Sequence, residues 1–476
     1  MADSLTDIIK GLYPYAERYG VLRRLPEQGL SRDTILSQIR EMARSEDAAW
    51  EGGRCSGTMY AGDHEHYDFL NSVCAHFSHA NALQRDMCPS ATRFESEILA
   101  MALDLMHGEA VREHDRRHKA CGAIGFGGTE SIINALLVYR DKARAERGIE
   151  RGHVILPDTA HPAFHKGAHL LGLDVTVAPT DPETTQVDVE AVRAAIGERT
   201  VALVGSAGNY PYGTIDPIDK LSELAHEHGL GLHVDGCLGG FILCWGEALG
   251  RPTPVFDFRL RGVTSISADT HKYGYGLKGT SVLMFRDVGY RRYQYFVAPE
   301  WKGGAYASYG LPGSRSTGLI AATWAAMVSI GREGYLAHAR EIFATADRMK
   351  ATIEAQPELK LMGDPSFCLS FRSDAFDIYH LNDFMKQRGW RLNGQQSPAA
   401  VHMCVTRPQT QAGVAEAWAA DLPEAVAYAQ EQQAAGAKPR SSAIYGGGAS
   451  GLDVSSPEAV RQLMTMALDV LQDYPF

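Results

Sequence analysis

Residues 200–237, TVALVGSAGNYPYGTIDPIDKLSELAHEHGLGLHVDGC, decide the fold. The run opens on TVALVGSAG, apolar and without strict alternation, the pattern of a strand covered on both faces. A turn rich in Gly, Asn and Pro follows. A helical pattern then spans 217–228, and a second apolar run, GLHVDG, occupies 231–236. Strand, helix and strand in that order are a βαβ unit, and βαβ units build mostly parallel sheets.

The same pattern extends outward from this unit. HVILPD (153–158), DVTVAP (174–179), SISAD (265–269) and SVLMFRD (281–287) read as further buried strands, with helical candidates at 130–147 and 186–196. The first 100 residues are mainly helical and irregular. After about residue 315 the character changes. A long helical stretch over 317–355 precedes a smaller α+β segment: the strand CLSFRS, the helix IYHLNDFMKQRG, the strand VHMCVT and the helix GVAEAWAADLPEAVAYAQEQQAAGA. GAKPRSS and YGGGASG read as surface or lid segments, and no internal repeat is present.

The 476-residue chain has room for two or three domains, and 45% hydrophobic with 22% charged residues is enough to bury a full core. A net charge of −11 without a long basic run argues against a nucleic-acid partner and leaves room for local basic pockets that take small anions. Eight cysteines, at 55, 74, 88, 121, 237, 244, 368 and 404, show no CxxC or Cys/His spacing. Neither zinc nor a disulfide framework is expected, and free thiols in a reducing cytosol fit the pattern. The N-terminal MADSLTDIIKGLYPYAERYG lacks a basic segment followed by an apolar run, so no signal peptide is expected in it. The longest apolar stretch, GLGLHVDGCLGGFILCWG, is broken by His233 and Asp235. A soluble cytoplasmic protein without a transmembrane segment is expected.

Three features of the central block carry chemistry. In GFGGTESIINALL (125–137), Gly127 and Gly128 precede Thr129 and a helix. Such a turn presents free backbone N–H groups and the positive end of the helix dipole to a phosphate; a simple helix cap at Thr129 explains the same residues. Asp235 closes the strand GLHVD at the carboxyl end, where ligands of open α/β sheets gather. It reads either as an Asx turn or as a carboxylate paired with a buried cationic heterocycle. SISADTHKYGYGLKGTS (265–281) places Lys272 directly after a strand at the same end of the sheet. Burial beside other cations is expected to lower its pKa and free the amine for Schiff-base chemistry. A phosphate-binding turn, a strand-end Asp and a strand-end Lys, in that order, are the parts needed to hold pyridoxal phosphate.

In these residues the sequence resembles the fold-type-I pyridoxal-phosphate enzymes of the group II decarboxylase branch and, within it, the sphingosine-1-phosphate lyases. The shared motifs are SGTMYAGD (56–63), GGTESI (127–132), TAHPAF (159–164), VGSAGNYPYGTIDPI (204–218), LHVDGCLGGF (232–241), the block at 265–281, GGAYAS (303–308), GSRS (313–316) and FDIYHLND (376–383). Decarboxylases share the HK and HVD pieces. DTHKYGxxxKG with its second lysine, and GSxxNYPYGTIDPI, are far more specific to the lyases. The resemblance implies a large α/β domain with a mostly parallel sheet over 96–325, a helical segment over 1–95 that contributes to dimer and active site, and a small α+β domain over 326–476. It also implies a homodimer with shared active sites.

Carried over by motif, Lys272 is implied as the Schiff-base lysine and His271 as a holder of the cofactor phosphate, which Gly127, Gly128 and Thr129 cradle. Asp235 is implied as the partner of the pyridinium nitrogen and His161 as the residue stacked on the ring. Lys278, Tyr60 and Ser314 match contacts to the substrate's own phosphate, and Tyr210 matches a tyrosine near the reacting centre. Some of these would come from the partner subunit. Gln84, in NALQRD (81–86), stands where the family has His, an uncharged donor in place of a cation; Arg85 beside it is a candidate to compensate. Tyr309 and Gly310 after Ser308, and Phe126 before the double glycine, are further departures.

The implied reaction is retro-aldol cleavage of the C2–C3 bond of a phosphorylated long-chain base, giving a long-chain aldehyde and phosphoethanolamine. Freed Lys272, Tyr210 and a phosphate oxygen are open as the base for the C3 hydroxyl. The rival readings are an amino-acid decarboxylase acting on glutamate or an aromatic substrate, and a non-catalytic dimer that keeps the fold. Intact Lys272, Asp235 and His161 argue against the latter.

Overall fold

The computed structural model describes residues 14–443 and 457–473. A seven-stranded sheet lies at its centre, made of β1 (Cys121–Gly125), β2 (His153–Pro157), β3 (Asp174–Ala178), β4 (Thr200–Ser206), β5 (Gly231–Asp235), β6 (Ser265–Ala268) and β7 (Ser281–Phe285). The spatial order is β1-β7-β6-β5-β4-β2-β3. Strands β3, β2, β4, β5 and β6 pair in parallel, and β7 runs antiparallel to both β6 and β1. Every residue of β4, β5, β6 and β7 is buried, which is why their runs lack alternation. Strand β1 was not among the expected strands. Its sequence, CGAIG, is poor in strand formers, and Gly122 is there because a Cβ would meet the Leu283 carbonyl at 2.7 Å.

The expected helices form as α1 (Gly128–Arg147), α2 (Val189–Ala195) and α3 (Ile218–Glu227). Asp188 caps α2 by accepting from the Glu190 and Ala191 N–H groups. Helix α3 lies directly on β4: a Cβ at Gly205 would collide with the side chains of Ile218 and Leu221 at 2.6 and 2.8 Å. The helical stretch after residue 315 is α4 (Thr317–Glu354), capped by Ser316 and broken at Gly331, whose φ is 61°.

A hairpin of β8 (Phe296–Ala298) and β9 (Tyr306–Ser308) stands apart from both sheets. The second sheet is wholly antiparallel, with β10 (Leu359–Leu361), β11 (Cys368–Ser373), β12 (Asn393–Gln395) and β13 (Ala400–Cys404) in the order β10-β11-β13-β12. Helices α5 (Ile378–Gln387) and α6 (Val414–Ala434) accompany it. Its core holds Trp390 and Trp418, fully buried with rings edge to face at 5.2 Å, a geometry that adds about 1 kcal/mol to their burial. The GAKPRSS stretch follows α6 and is mostly exposed. YGGGASG lies outside the described residues. No helix among the described residues is long and apolar enough to cross a membrane.

Residues 55–60 join this second sheet from the other end of the chain. Ser56 N donates to the Arg391 carbonyl and Gly57 N to the Cys404 carbonyl, each at 2.9 Å. The Ser56 hydroxyl donates to the His402 carbonyl at 3.1 Å and accepts from Cys404 N at 2.9 Å and Asn393 Nδ2 at 3.0 Å. A single buried hydroxyl thus stitches the N-terminal segment across two strands.

Candidate active site

The parallel strands and β1 present their carboxyl ends to one edge of the large sheet. The strand ends and the loops that leave them carry His161, Ser206, Tyr210, Asp235, His271 and Lys272 to a cavity of about 420 Å³. That size suits a small-molecule site. The second sheet and the 55–60 segment close the cavity from the other side with Thr58, Tyr60, Cys368, Arg391, His402 and Cys404.

Lys272 Nζ lies 2.9 Å from Asp269 Oδ2. Burial by itself pushes the Lys272 pKa down, but the Asp269 charge and hydrogen bond together with Tyr60 and Cys237 outweigh it, and the ammonium is held well above its ordinary value. This corrects the expectation that neighbouring cations lower it: the dominant neighbour is an anion three residues back on the same turn. Asp269 is 2% exposed, and its Oδ1 is buried with no hydrogen-bond partner. That carboxylate sits against the start of α1. A Cβ on Gly128 would meet both Asp269 oxygens at 2.9 Å. Helix α1 opens at Gly127, whose φ is 87°, with no side-chain cap. Thr129 is exposed in the first turn and does not cap the helix. The uncapped N–H groups and dipole end therefore face the Lys272–Asp269 pair and are available to an anion.

Asp235 is 8% exposed. It accepts from Cys237 N at 3.0 Å and Ser267 Oγ at 3.3 Å, both on Oδ1, so Oδ2 remains for a donor in the cavity. His161 is fixed by the Ala163 N–H, which donates to its Nδ1 at 3.2 Å. Burial lowers its pKa and favours a neutral, flat ring. His271 Nδ1 is 2.5 Å from the Thr280 carbonyl, and burial lowers its pKa too. The neutral ring then keeps Nε2 as an acceptor, 3.7 Å from Asp269 Oδ2. An anion bound there has to draw a proton onto the ring.

The second lysine stands at the rim. Lys278 Nζ donates to the Thr58 carbonyl at 2.8 Å and lies 4.8 Å above the Tyr60 ring. The residue as a whole is exposed, yet the protein packed around its ammonium and the Lys272 charge push its pKa down to about 8. Tyr60 packs edge to face on Tyr273 at 5.0 Å, and burial keeps its phenol neutral by raising its pKa well above ordinary values. Lys278, Tyr60 and Tyr210 thus share the cavity with Lys272. Gln84 and Ser314 do not line it. Both are exposed and meet around Asn81, whose carbonyl accepts from Gln84 N at 3.0 Å and whose amide donates to Ser314 Oγ at 3.0 Å. Arg85 does not act as a free cation beside Gln84, because its guanidinium is bound to Glu95 and Thr92.

Several lining residues escaped sequence reading. Tyr210 packs edge to face on His402 at 4.9 Å, and His402 Nδ1 donates to the Pro211 carbonyl at 3.0 Å while its Nε2 accepts from Asn393 Nδ2 at 3.1 Å. Burial pushes the His402 pKa down to about 4. Arg391 adds a cation to the wall. Only the Asp269–Lys272 spacing within ADTHK was open to a sequence argument. The rest depend on pairings across the chain.

The family model described as the pyridoxal-dependent decarboxylase conserved domain matches residues 14–372. The sphingosine-1-phosphate lyase of Dictyostelium discoideum is 37% identical over 448 residues, covering 94% of this chain and 82% of its own. That of Rattus norvegicus is 40% identical over 407 residues, covering 85% and 70%. Among solved structures, a sphingosine-1-phosphate lyase of Burkholderia pseudomallei is 59% identical and superposes with a TM-score of 0.91, covering 97% of this chain and all of that one. Glutamate decarboxylase of Lactobacillus brevis, 18% identical with a TM-score of 0.73 over 88% of this chain and 98% of its own, shares the fold.

Proposed function

Because the chain belongs to the sphingosine-1-phosphate lyase family of pyridoxal-dependent enzymes, we propose that its cavity is where a phosphorylated long-chain base is cut between C2 and C3 into a long-chain aldehyde and phosphoethanolamine. One observation carries this reading: Lys272, Asp235, His161 and a second ammonium, Lys278, line one cavity, and the uncapped start of α1 packs against Cys237 and Asp269 beside it.

The residues fit pyridoxal phosphate. The α1 start leaves its N–H groups without a side-chain cap and packs against Asp269 and Cys237 only because Gly128 lacks a Cβ, Asp235 keeps an oxygen for a ring N–H, and His161 offers a neutral flat face. When bound, the cofactor supplies an aldehyde for amines and an electron-poor ring that accepts the electron pair left at C2. Lys272 is the amine that anchors it. Asp235 keeps the proton on the ring nitrogen, His161 covers the ring, and the Gly127–Gly128 N–H groups with His271 hold the phosphate. Lys278 and Tyr60 meet the substrate's own phosphate, an ammonium and a phenol O–H against an anion. One proton leaves the C3 hydroxyl and one arrives at C2. Lys272 and Tyr210 line the cavity and are the carriers within reach.

Gln84 and Ser314 act in trans under this reading. They sit on a surface with exposed Met87, Tyr309 and Leu311, apolar side chains that a second copy would cover. The homodimer is part of the proposal.

The test is incubation of the cofactor-loaded protein with sphingosine 1-phosphate and mass detection of aldehyde and phosphoethanolamine. Aldehyde formation is expected, and Lys272→Ala should abolish it. Carbon dioxide released from glutamate or an aromatic amino acid, with no aldehyde from the phosphorylated base, would turn the assignment to a decarboxylase.

A further inference from the structure

The register of the second sheet sets two cysteines face to face. Cys368 of β11 pairs with Cys404 of β13. Val405 N donates to the Phe367 carbonyl at 2.8 Å, which marks Phe367 and Val405 as a hydrogen-bonded pair. Cys368 and Cys404, one step along, are therefore the non-hydrogen-bonded pair. Residues so placed have Cα atoms about 4.5 Å apart and side chains on one face, within the span that a disulfide bridges. Both cysteines are free thiols and both line the cavity that contains Lys272.

Their surroundings single them out from Cys237, which lines the same cavity. Cys237 donates to Ser267 Oγ at 3.1 Å, and burial holds its pKa well above the thiol range. Cys404 is different. The hydrogen bond from Cys368 draws its pKa below the ordinary value against the effect of burial, and the Lys272 charge assists. Tyr273 Oη lies 3.3 Å from Cys404 Sγ and donates to the Val405 carbonyl at 2.6 Å. Cys404 is thus the nucleophile, and Cys368 the thiol poised to resolve it.

We infer that Cys368 and Cys404 form a thiol modification site in the wall of the active-site cavity, which a peroxide closes into a disulfide that slows turnover. Cys404 sulfur attacks a peroxide oxygen, the O–O bond breaks, and sulfenic acid and water form. Cys368 sulfur then attacks Cys404 sulfur, the S–O bond breaks, and a second water leaves with the Cys368 proton. Each sulfur gives up one electron, and the peroxide takes both. Closure draws the sulfurs to about 2 Å. That pulls on Gly57, whose N–H is bound to the Cys404 carbonyl, and on the Tyr210 carbonyl, 3.9 Å from Cys368 Sγ. Both of these belong to the wall that faces substrate.

The cofactor-loaded wild type is treated with hydrogen peroxide, alkylated without reductant, digested and mapped by mass spectrometry. A Cys368–Cys404 cross-linked peptide, lighter by two hydrogens, is expected. Aldehyde formation should fall severalfold in step with it, and dithiothreitol should restore both. Cys368→Ser should give no cross-link and should carry Cys404 on to sulfinic acid, beyond rescue by dithiothreitol. Sulfinic acid on Cys404 in the wild type without the cross-link overturns the inference, as does a cross-link that leaves turnover unchanged. If Cys368→Ser does not fold, the wild-type map alone decides. The slowing rests on the lyase reading, but the cross-link is read on the protein itself. A protein that cross-links and never forms aldehyde overturns that reading and upholds the thiol pairing.

Discussion

Gly128→Ala tests the seat for the cofactor phosphate. A methyl on Gly128 would lie 2.8 Å from Cys237 Sγ and 2.9 Å from each Asp269 oxygen. None of these atoms is the loose end of a flexible side chain: Cys237 is 7% and Asp269 2% exposed, and Asp269 holds Lys272 at 2.9 Å. The start of α1 therefore has to move, and its N–H groups move with it. Overpacking of this kind costs about 1–3 kcal/mol. If the cofactor-bound state bears that cost, affinity for pyridoxal phosphate falls by about 5- to 150-fold. Titration of apoprotein, followed by absorbance or tryptophan quenching, measures it. Gly148→Ala is the control at the far end of the same helix, where φ is 65° and nothing lies within 4 Å. It should lose about 1 kcal/mol of stability to left-handed strain and keep its affinity. An unchanged Kd in Gly128→Ala, or equal losses in both variants, would refute the phosphate seat.

Asp235→Asn keeps an oxygen for the Cys237 and Ser267 donors, so Tm should hold while aldehyde formation falls about 10²- to 10³-fold; undiminished turnover would remove Asp235 from the chemistry. For Lys278 the pH profile is diagnostic. With its pKa pushed down to about 8, the cation is present below that pH and lost above it. The kcat/KM for a phosphorylated base should therefore drop as pH rises past that point, and Lys278→Arg, charged throughout, should abolish the descending limb. Lys278→Ala should raise KM roughly 10- to 150-fold, the range of a hydrogen bond to a charged group, with cofactor affinity intact. An identical limb in the Arg variant would place the titration elsewhere.

The βαβ block was legible because strands buried on both faces leave runs such as TVALVG and SVLMF, and because Asp235 ends one strand and Lys272 follows shortly after another. The orientation of β7 was not legible: a buried run reads alike in either direction. Strand β1 was lost because Gly and Ala give no apolar signal. In the site, the cofactor residues sit beside their own strands and follow from local order. The Asp269–Lys272 pair was missed by weighing burial and nearby cations alone, although the two residues share one turn. Arg391, Asn393 and His402 were beyond reach, since they enter through pairings between Ser56 and the second sheet. Cys368 and Cys404 looked scattered for the same reason, because only the register of β11 with β13 reveals them as neighbours.

The stitching of Ser56 to His402, 346 positions apart, has a consequence for how the protein is made. A ribosome adds about 5–20 residues per second, so the 55–60 segment waits on the order of tens of seconds for the strands it will join. Until then Tyr60 has no wall to stand in and Lys278 no Thr58 carbonyl to hold it. All seven strands of the large sheet are translated before β11, β12 and β13, so the wall that the 55–60 segment shares with the second sheet cannot close on the cavity until the last quarter of the chain has been made.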